Sequence, residues 1–131
     1  DRDRQTTRMI EMLDGIAFPS KRHVRCLDLF AAHSLTVTGM DPETETALRQ
    51  ERAVLRDATG LRPADFEAYV LHITLGYQLE WLSEGTAQAL VAFSEALFAR
   101  HQAGLQAIEL GPNAFCSFDT MHHFEPLRPL V

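Results

Sequence analysis

His72 and Thr74 stand two residues apart in the string Leu71-His72-Ile73-Thr74-Leu75-Gly76, a spacing that puts both side chains on one face of a β-strand. Val70 and Gly76 share that face, while Tyr69, Leu71, Ile73 and Leu75 alternate onto the other, which is wholly hydrophobic. Strand rise sets the two Cα atoms about 6.5 to 7 Å apart, so one phosphate group can meet both side chains. Histidine titrates near neutrality and can take or give a proton at little cost. Threonine adds a hydroxyl donor without adding charge. Gly76 leaves out a side chain beside them, which lets a ligand approach the backbone. Tyr69 offers a ring that can stack on a base or complete the core. Tyr77, on the face of Leu75, reads as core.

The longer string from Tyr69 to Tyr77, Tyr-Val-Leu-His-Ile-Thr-Leu-Gly-Tyr, resembles the second signature of the two-histidine phosphoesterase superfamily, which includes 2′-5′ RNA ligase-like proteins and cyclic nucleotide phosphodiesterases. Trp81-Leu82, the stretch from Leu110 to Met121 and Phe124-Glu125-Pro126-Leu127 are similar to a poorly characterised branch of that superfamily. The resemblance runs from about Thr38 to Leu127. It implies antiparallel sheets with packed helices, and two His-x-Thr/Ser strands facing each other across a groove. It also implies hydrolysis of a cyclic or 2′-5′ phosphodiester in a nucleotide or RNA end. One histidine activates water, the other protonates the leaving oxygen, and the hydroxyl residues hold the phosphate, with no metal or cofactor. His72 and Thr74 would be catalytic here, with Tyr69 and Gly76 on the substrate.

Two such motifs are expected and one is plain. His33-Ser34-Leu35-Thr36 puts leucine where the motif places its hydroxyl. The first motif is therefore expected on a segment before Asp1, leaving this chain as the C-terminal portion of a single phosphoesterase-like domain. The alternative function is a non-catalytic nucleotide-binding, phosphate-binding or interaction module with one motif missing.

The elements that would hold the motif follow from local signals. Thr7 to Leu13 reads as a short helix closed by Gly15. Lys21 to Ala32 reads as a helix, because Val24, Leu27, Phe30 and Ala31 recur at helical spacing. Ser34 to Gly39 alternates as a half-buried strand. Asp41-Pro42 opens a helix that runs to about Ala58 and stops at Gly60. Tyr69 to Leu75 is the clearest strand, and Ser83 or Glu84 opens a helix to about Ala103. Leu105 to Leu110 and Ala114 to Phe118 complete the set as short strands. Strands and helices in this irregular order predict an α+β fold.

The 131 residues, 46% hydrophobic and 23% charged, suit one domain with a core. A net charge of −6 opposes binding along a nucleic-acid backbone, which needs many Lys and Arg contacts, but not binding of a nucleotide or an RNA end. No apolar run is long enough to span a membrane, and the start carries no apolar signal core, so the expected place is the cytoplasm. There Cys26 and Cys116 would be buried thiols. Asp119, His122, His123 and Cys116 match no zinc spacing. Phe115, Phe118 and Phe124 read as core, His101 as a boundary residue of its helix, and Arg8, Lys21, Arg22 and Arg25 as solvated charge.

Overall fold

A computed structural model describes residues 1–131 and is an α+β structure. Its elements are α1 (Arg2–Met12), β1 (Arg22–Phe30), β2 (Ser34–Gly39), α2 (Pro42–Thr59), β3 (His72–Thr74), α3 (Glu84–His101), a 3-10 turn (Gln102–Leu105), β4 (Ile108–Leu110), β5 (Ala114–Thr120) and β6 (His123–Pro129). Four strands form an antiparallel sheet in the order β3-β2-β1-β4, and β5 and β6 form a separate hairpin.

The helices begin and end where local chemistry dictates. Asp41 Oδ1 accepts from the Thr44 N–H at 2.7 Å, with Pro42 in the first turn. Gly60 closes α2 in the left-handed conformation, φ 70°, its N–H bonded to the Arg56 carbonyl. Ser83 caps α3 through the Thr86 N–H.

The segment read as a helix over Lys21–Ala32 is instead strand β1. The strand carries a β-bulge between Cys26 and Asp28. Cys26 pairs with Val37 and Leu29 with Leu35, so three residues advance on β1 while two advance on β2. The residues that recur at helical spacing do not share a face of this strand: Val24 is buried, while Leu27 and Phe30 are exposed. The turn into β2 is also silent in sequence. Ala31 and Ala32 both have positive φ, 45° and 57°, and the His33 N–H bonds the Phe30 carbonyl at 3.0 Å. Tight hairpin turns of this hand favour Asn-Gly, not Ala-Ala.

One side of the sheet packs on α2. Val24, Val37, Ile73 and Leu110 face Leu48 and Leu55 across it, and α3 runs along β1. Val24, Cys26 and Val37 are buried, as are Leu13 and Leu130 elsewhere. Burial pushes the Cys26 thiol up. Both cysteines are free, and Cys116 is half-buried where a buried thiol was expected. Tyr77, Phe118 and Phe124, read as core, are close to half exposed, the two phenylalanines packing on each other at 4.9 Å. His101 is exposed at the end of α3. Accessible surface totals 9318 Å², against about 6,900 Å² for a compact monomer of this mass. No helix is long and apolar enough to cross a membrane.

Candidate functional site

Strand β3 is shorter than the Tyr69–Leu75 reading, but its register places the motif on β2. Ser34 pairs with Thr74, Leu35 with Ile73 and Thr36 with His72. The backbone bonds decide which pairs are close. The Val37 N–H donates to the Leu71 carbonyl at 2.9 Å and the Leu75 N–H to the His33 carbonyl at 2.7 Å. Ser34–Thr74 and Thr36–His72 fall between those bonded positions. They are the narrow, non-hydrogen-bonded pairs of an antiparallel ladder, whose side chains stand closest.

The register thus sets Ser34, Thr36 and Thr74 on the side of the sheet away from α2, together with the Cβ of His72. His72 and Thr74 are exposed, Ser34 and Thr36 half-buried, and the neighbouring β1 residues Arg25, Asp28 and Phe30 are exposed. Ser34 and Thr36 were not singled out from sequence as members of the site. Their signal was the alternation Ser34-Leu35-Thr36, which runs opposite to His72-Ile73-Thr74 once the register is known.

His72 lies at the sheet edge, and its ring turns back toward the chain before β3. Nδ1 is 3.1 Å from the Val70 carbonyl oxygen. A carbonyl only accepts, so Nδ1 carries the proton and Nε2 is left to meet a ligand. The Tyr69 ring is 5.8 Å from the imidazole, centroid to centroid, and carries the Arg52 guanidinium on its face at 3.8 Å. Arg49 donates to the Tyr69 carbonyl at 3.0 Å, which fixes the approach to the motif strand.

His33 reaches the patch from the other end. Its Nδ1 is 2.8 Å from Ser34 Oγ, and its ring meets Phe30 edge-on at 5.3 Å. A cavity of about 450 Å³ beside it is lined by His33, Gly76, Tyr77, Leu82 and Leu90 among others. A Cβ added at Gly76 would meet no atom within 4 Å, so this glycine keeps space open without being needed to avoid a clash.

A second cavity, about 270 Å³, lies between sheet and α2 and includes His72, Tyr69, Arg52 and Glu51 in its wall. Glu51 is buried and fully engaged. Arg22 binds its Oε1 through Nη2 at 2.7 Å and Nε at 3.1 Å, and Asn113 donates to Oε2 at 3.1 Å. Of the residues read as solvated charge, Arg22 is therefore structural, while Lys21 pairs with Glu109 at the surface. No three of the chain's His, Cys, Asp and Glu side chains converge into a metal-binding group.

No protein-family model and no curated protein matches this chain. In structure it is similar to a conserved protein of unknown function, ATU0111 from Agrobacterium tumefaciens, with a TM-score of 0.74 and 26% identity over 98% of this chain. The match covers 55% of that protein, so this chain spans about half the length of its structural neighbour.

Proposed function

We propose that the open side of the sheet is one half of a two-histidine phosphoesterase site that hydrolyses a cyclic or 2′-5′ phosphodiester in a nucleotide or RNA end. The observation that carries this reading is the pair of narrow cross-strand positions, Thr36–His72 and Ser34–Thr74, which brings the motif histidine and threonine beside two further hydroxyl residues at the sheet edge. Thr74 and Ser34 donate to the non-bridging oxygens. His72 Nε2 takes a proton from the attacking water or gives one to the leaving oxygen. Water oxygen bonds to phosphorus as the bond from phosphorus to the leaving ribose oxygen breaks.

One imidazole fills one of those two proton-transfer roles, and the complementary carrier belongs across the face, on a second lobe. Two findings support that arrangement. The Agrobacterium protein has nearly half its chain outside the matched region, and this chain exposes about a third more surface than a compact monomer of its mass.

Turnover of 2′,3′-cyclic nucleotides and 2′-5′-linked dinucleotides tests the reading. His72→Ala is expected to lower it about 10²- to 10⁴-fold while leaving the fold intact, since the residue is exposed. Equal turnover in the variant overturns the assignment. The presence of a single His-x-Thr strand on this side favours a second reading, a module that binds phosphate or nucleotide without turning it over. Nucleotide binding that His72→Ala weakens, with no hydrolysis in either protein, selects it.

A further inference from the structure

Arg52 differs from the other arginines that line cavities in this protein. Arg22 is bonded to Glu51 and Arg56 to Asp57, whereas Arg52 has no carboxylate partner. Its guanidinium is held by stacking alone, 3.8 Å above the Tyr69 ring and 5.1 Å from the Phe66 ring. The neighbouring carboxylate, Glu51, is occupied by Arg22 and Asn113 and is not free to neutralise it. Stacking holds the flat face of a guanidinium and leaves its N–H edge for a ligand, in the fork geometry that suits phosphate.

Position gives that free edge a use. Arg52 lines the cavity that contains His72, and it also lines a neighbouring one of about 330 Å³. That neighbour has mostly apolar walls, from Leu13, Leu55, Phe66 and Phe115 among others, and a second arginine, Arg56, on its rim. Arg56 and Arg62 also approach the Phe66 ring, at 4.8 and 5.9 Å. Arg56 and Arg62 are paired with Asp57 and Glu67, so Arg52 is the cation of this cluster without a carboxylate partner, one aromatic ring away from the motif histidine.

Resting on the function proposed above, we propose that Arg52 forms a second anion subsite, and that the substrate carries a phosphate group in addition to the phosphodiester at His72. Tyr69 separates the two positions and holds both partners, the imidazole on one side and the guanidinium on the other. The arginine is held in place before the ligand arrives, so little rotamer freedom is lost on binding. A second phosphate can come from a terminal monoester on a single nucleotide or from the next phosphodiester of a short oligonucleotide.

Three probes separate these sources: a nucleoside 2′,3′-cyclic phosphate, the same compound with a 5′-phosphate, and a dinucleotide ending in a 2′,3′-cyclic phosphate. Equilibrium binding is measured by calorimetry and turnover in parallel, for the wild type, Arg52→Met and Arg52→Lys. The added phosphate is expected to tighten binding about 10- to 100-fold, the range of one charge-assisted hydrogen-bonded contact. Arg52→Met should abolish that gain and Arg52→Lys keep part of it, with binding of the singly charged probe unchanged in both. A gain with the 5′-phosphate alone assigns a monoester, and a gain with the dinucleotide alone assigns a flanking phosphodiester; either supports the subsite. No gain from either added phosphate, or a gain that survives Arg52→Met, overturns it, and so does a failure of all three probes to bind. Arg52-dependent binding without hydrolysis of any probe keeps the subsite and removes the phosphoesterase reading.

Discussion

The two sides of the β3-β2-β1-β4 sheet use their polar groups differently. On the side facing α2, Val24, Cys26 and Val37 are buried and the carboxylate among them is fully occupied, Glu51 by Arg22 and Asn113. On the other side the Thr74 and Thr36 hydroxyls make no bond within the chain and the Ser34 hydroxyl meets only His33, while at the sheet edge His72 keeps Nε2 free. Buried polar groups must be satisfied because desolvation leaves them no alternative partner. Exposed ones can be left for a ligand at no such cost. Substitutions of the engaged groups on the covered side should therefore act on stability, and those of the unengaged groups, on the open side and at Arg52, on binding and turnover.

Gly39 gives the sharpest test of the covered side. A Cβ there would lie 2.2 Å from the Glu45 nitrogen and 2.6 Å from its Cα. Those are backbone atoms of the first turn of α2, and they cannot swing aside. Gly39→Ala should destabilise by about 3 kcal/mol, the upper range for overpacking, read as a fall in denaturation midpoint with unchanged slope. A near-neutral result would mean that α2 does not sit against the end of β2 as described.

That contact also marks how far sequence reasoning reaches. Asp41-Pro42 and Gly60 bounded α2 correctly because caps are local, and the Ser34–Gly39 alternation marked β2 because its side chains alternate without a break. Strand β1 reads as a helix because Leu27 and Phe30, which the strand exposes, complete a helix-like apolar spacing with the buried Val24, and only the pairing with β2 shows that they lie on different faces. Strand β6 gave no signal at all. It is exposed over most of its length and contains Pro126 and Pro129, tolerable only because the hairpin leaves edge positions without a bonding partner. In the site, His72 and Thr74 were legible as one strand face, whereas Ser34 and Thr36 needed the register. Arg52 was invisible: its neighbours Phe66 and Tyr69 lie 14 and 17 residues away, and nothing in their types announces a stack.

Glu51 tests the same side at smaller scale. Glu51→Ala leaves the Arg22 guanidinium and the Asn113 amide without their acceptor. Removing one partner of a buried pair costs about 3 to 5 kcal/mol, and the partial exposure of Arg22 brings the expectation down to about 2 kcal/mol. Glu51→Gln, which keeps an acceptor oxygen, should cost less. If both variants left stability unchanged, the contrast between an occupied and an unoccupied side would fail.

The next effect depends on pH. Burial pushes the Glu45 carboxyl up, but the Gly39 N–H at 2.7 Å, the Thr38 hydroxyl at 2.9 Å and Arg49 together outweigh it and hold the group below its ordinary 4.5. A carboxyl lowered in the folded state contributes stability above its unfolded pKa, and that contribution is lost as pH falls through the folded value. Melting temperature should therefore begin to drop near pH 4.5 and continue downward. Asp14 and Asp57, held low by Arg128 and Arg56, and Asp41, held low by the Thr44 N–H, act in the same direction. The difference between the wild type and Glu45→Gln isolates the Glu45 share: the two curves should converge in acid and separate above pH 4.5. Parallel curves would show that Glu45 is equally free in both states.

The smallest stability effect is expected on the open side, and it discriminates best. Thr36 sits opposite His72 in a narrow pair, and valine has nearly the same shape and the same preference for a strand. Thr36→Val therefore removes a hydroxyl and little else. With no bond to lose inside the chain, stability should stay within about 0.5 kcal/mol. A phosphate held beside His72 would lose one neutral hydrogen bond, worth about 0.5 to 1.5 kcal/mol, so turnover or nucleotide affinity should fall about 2- to 10-fold. The opposite outcome, a stability loss above about 1 kcal/mol with affinity intact, would show that Thr36 packs as part of the core. The hydroxyl patch would then be a structural ladder, and the division between the two sides of the sheet would lie elsewhere.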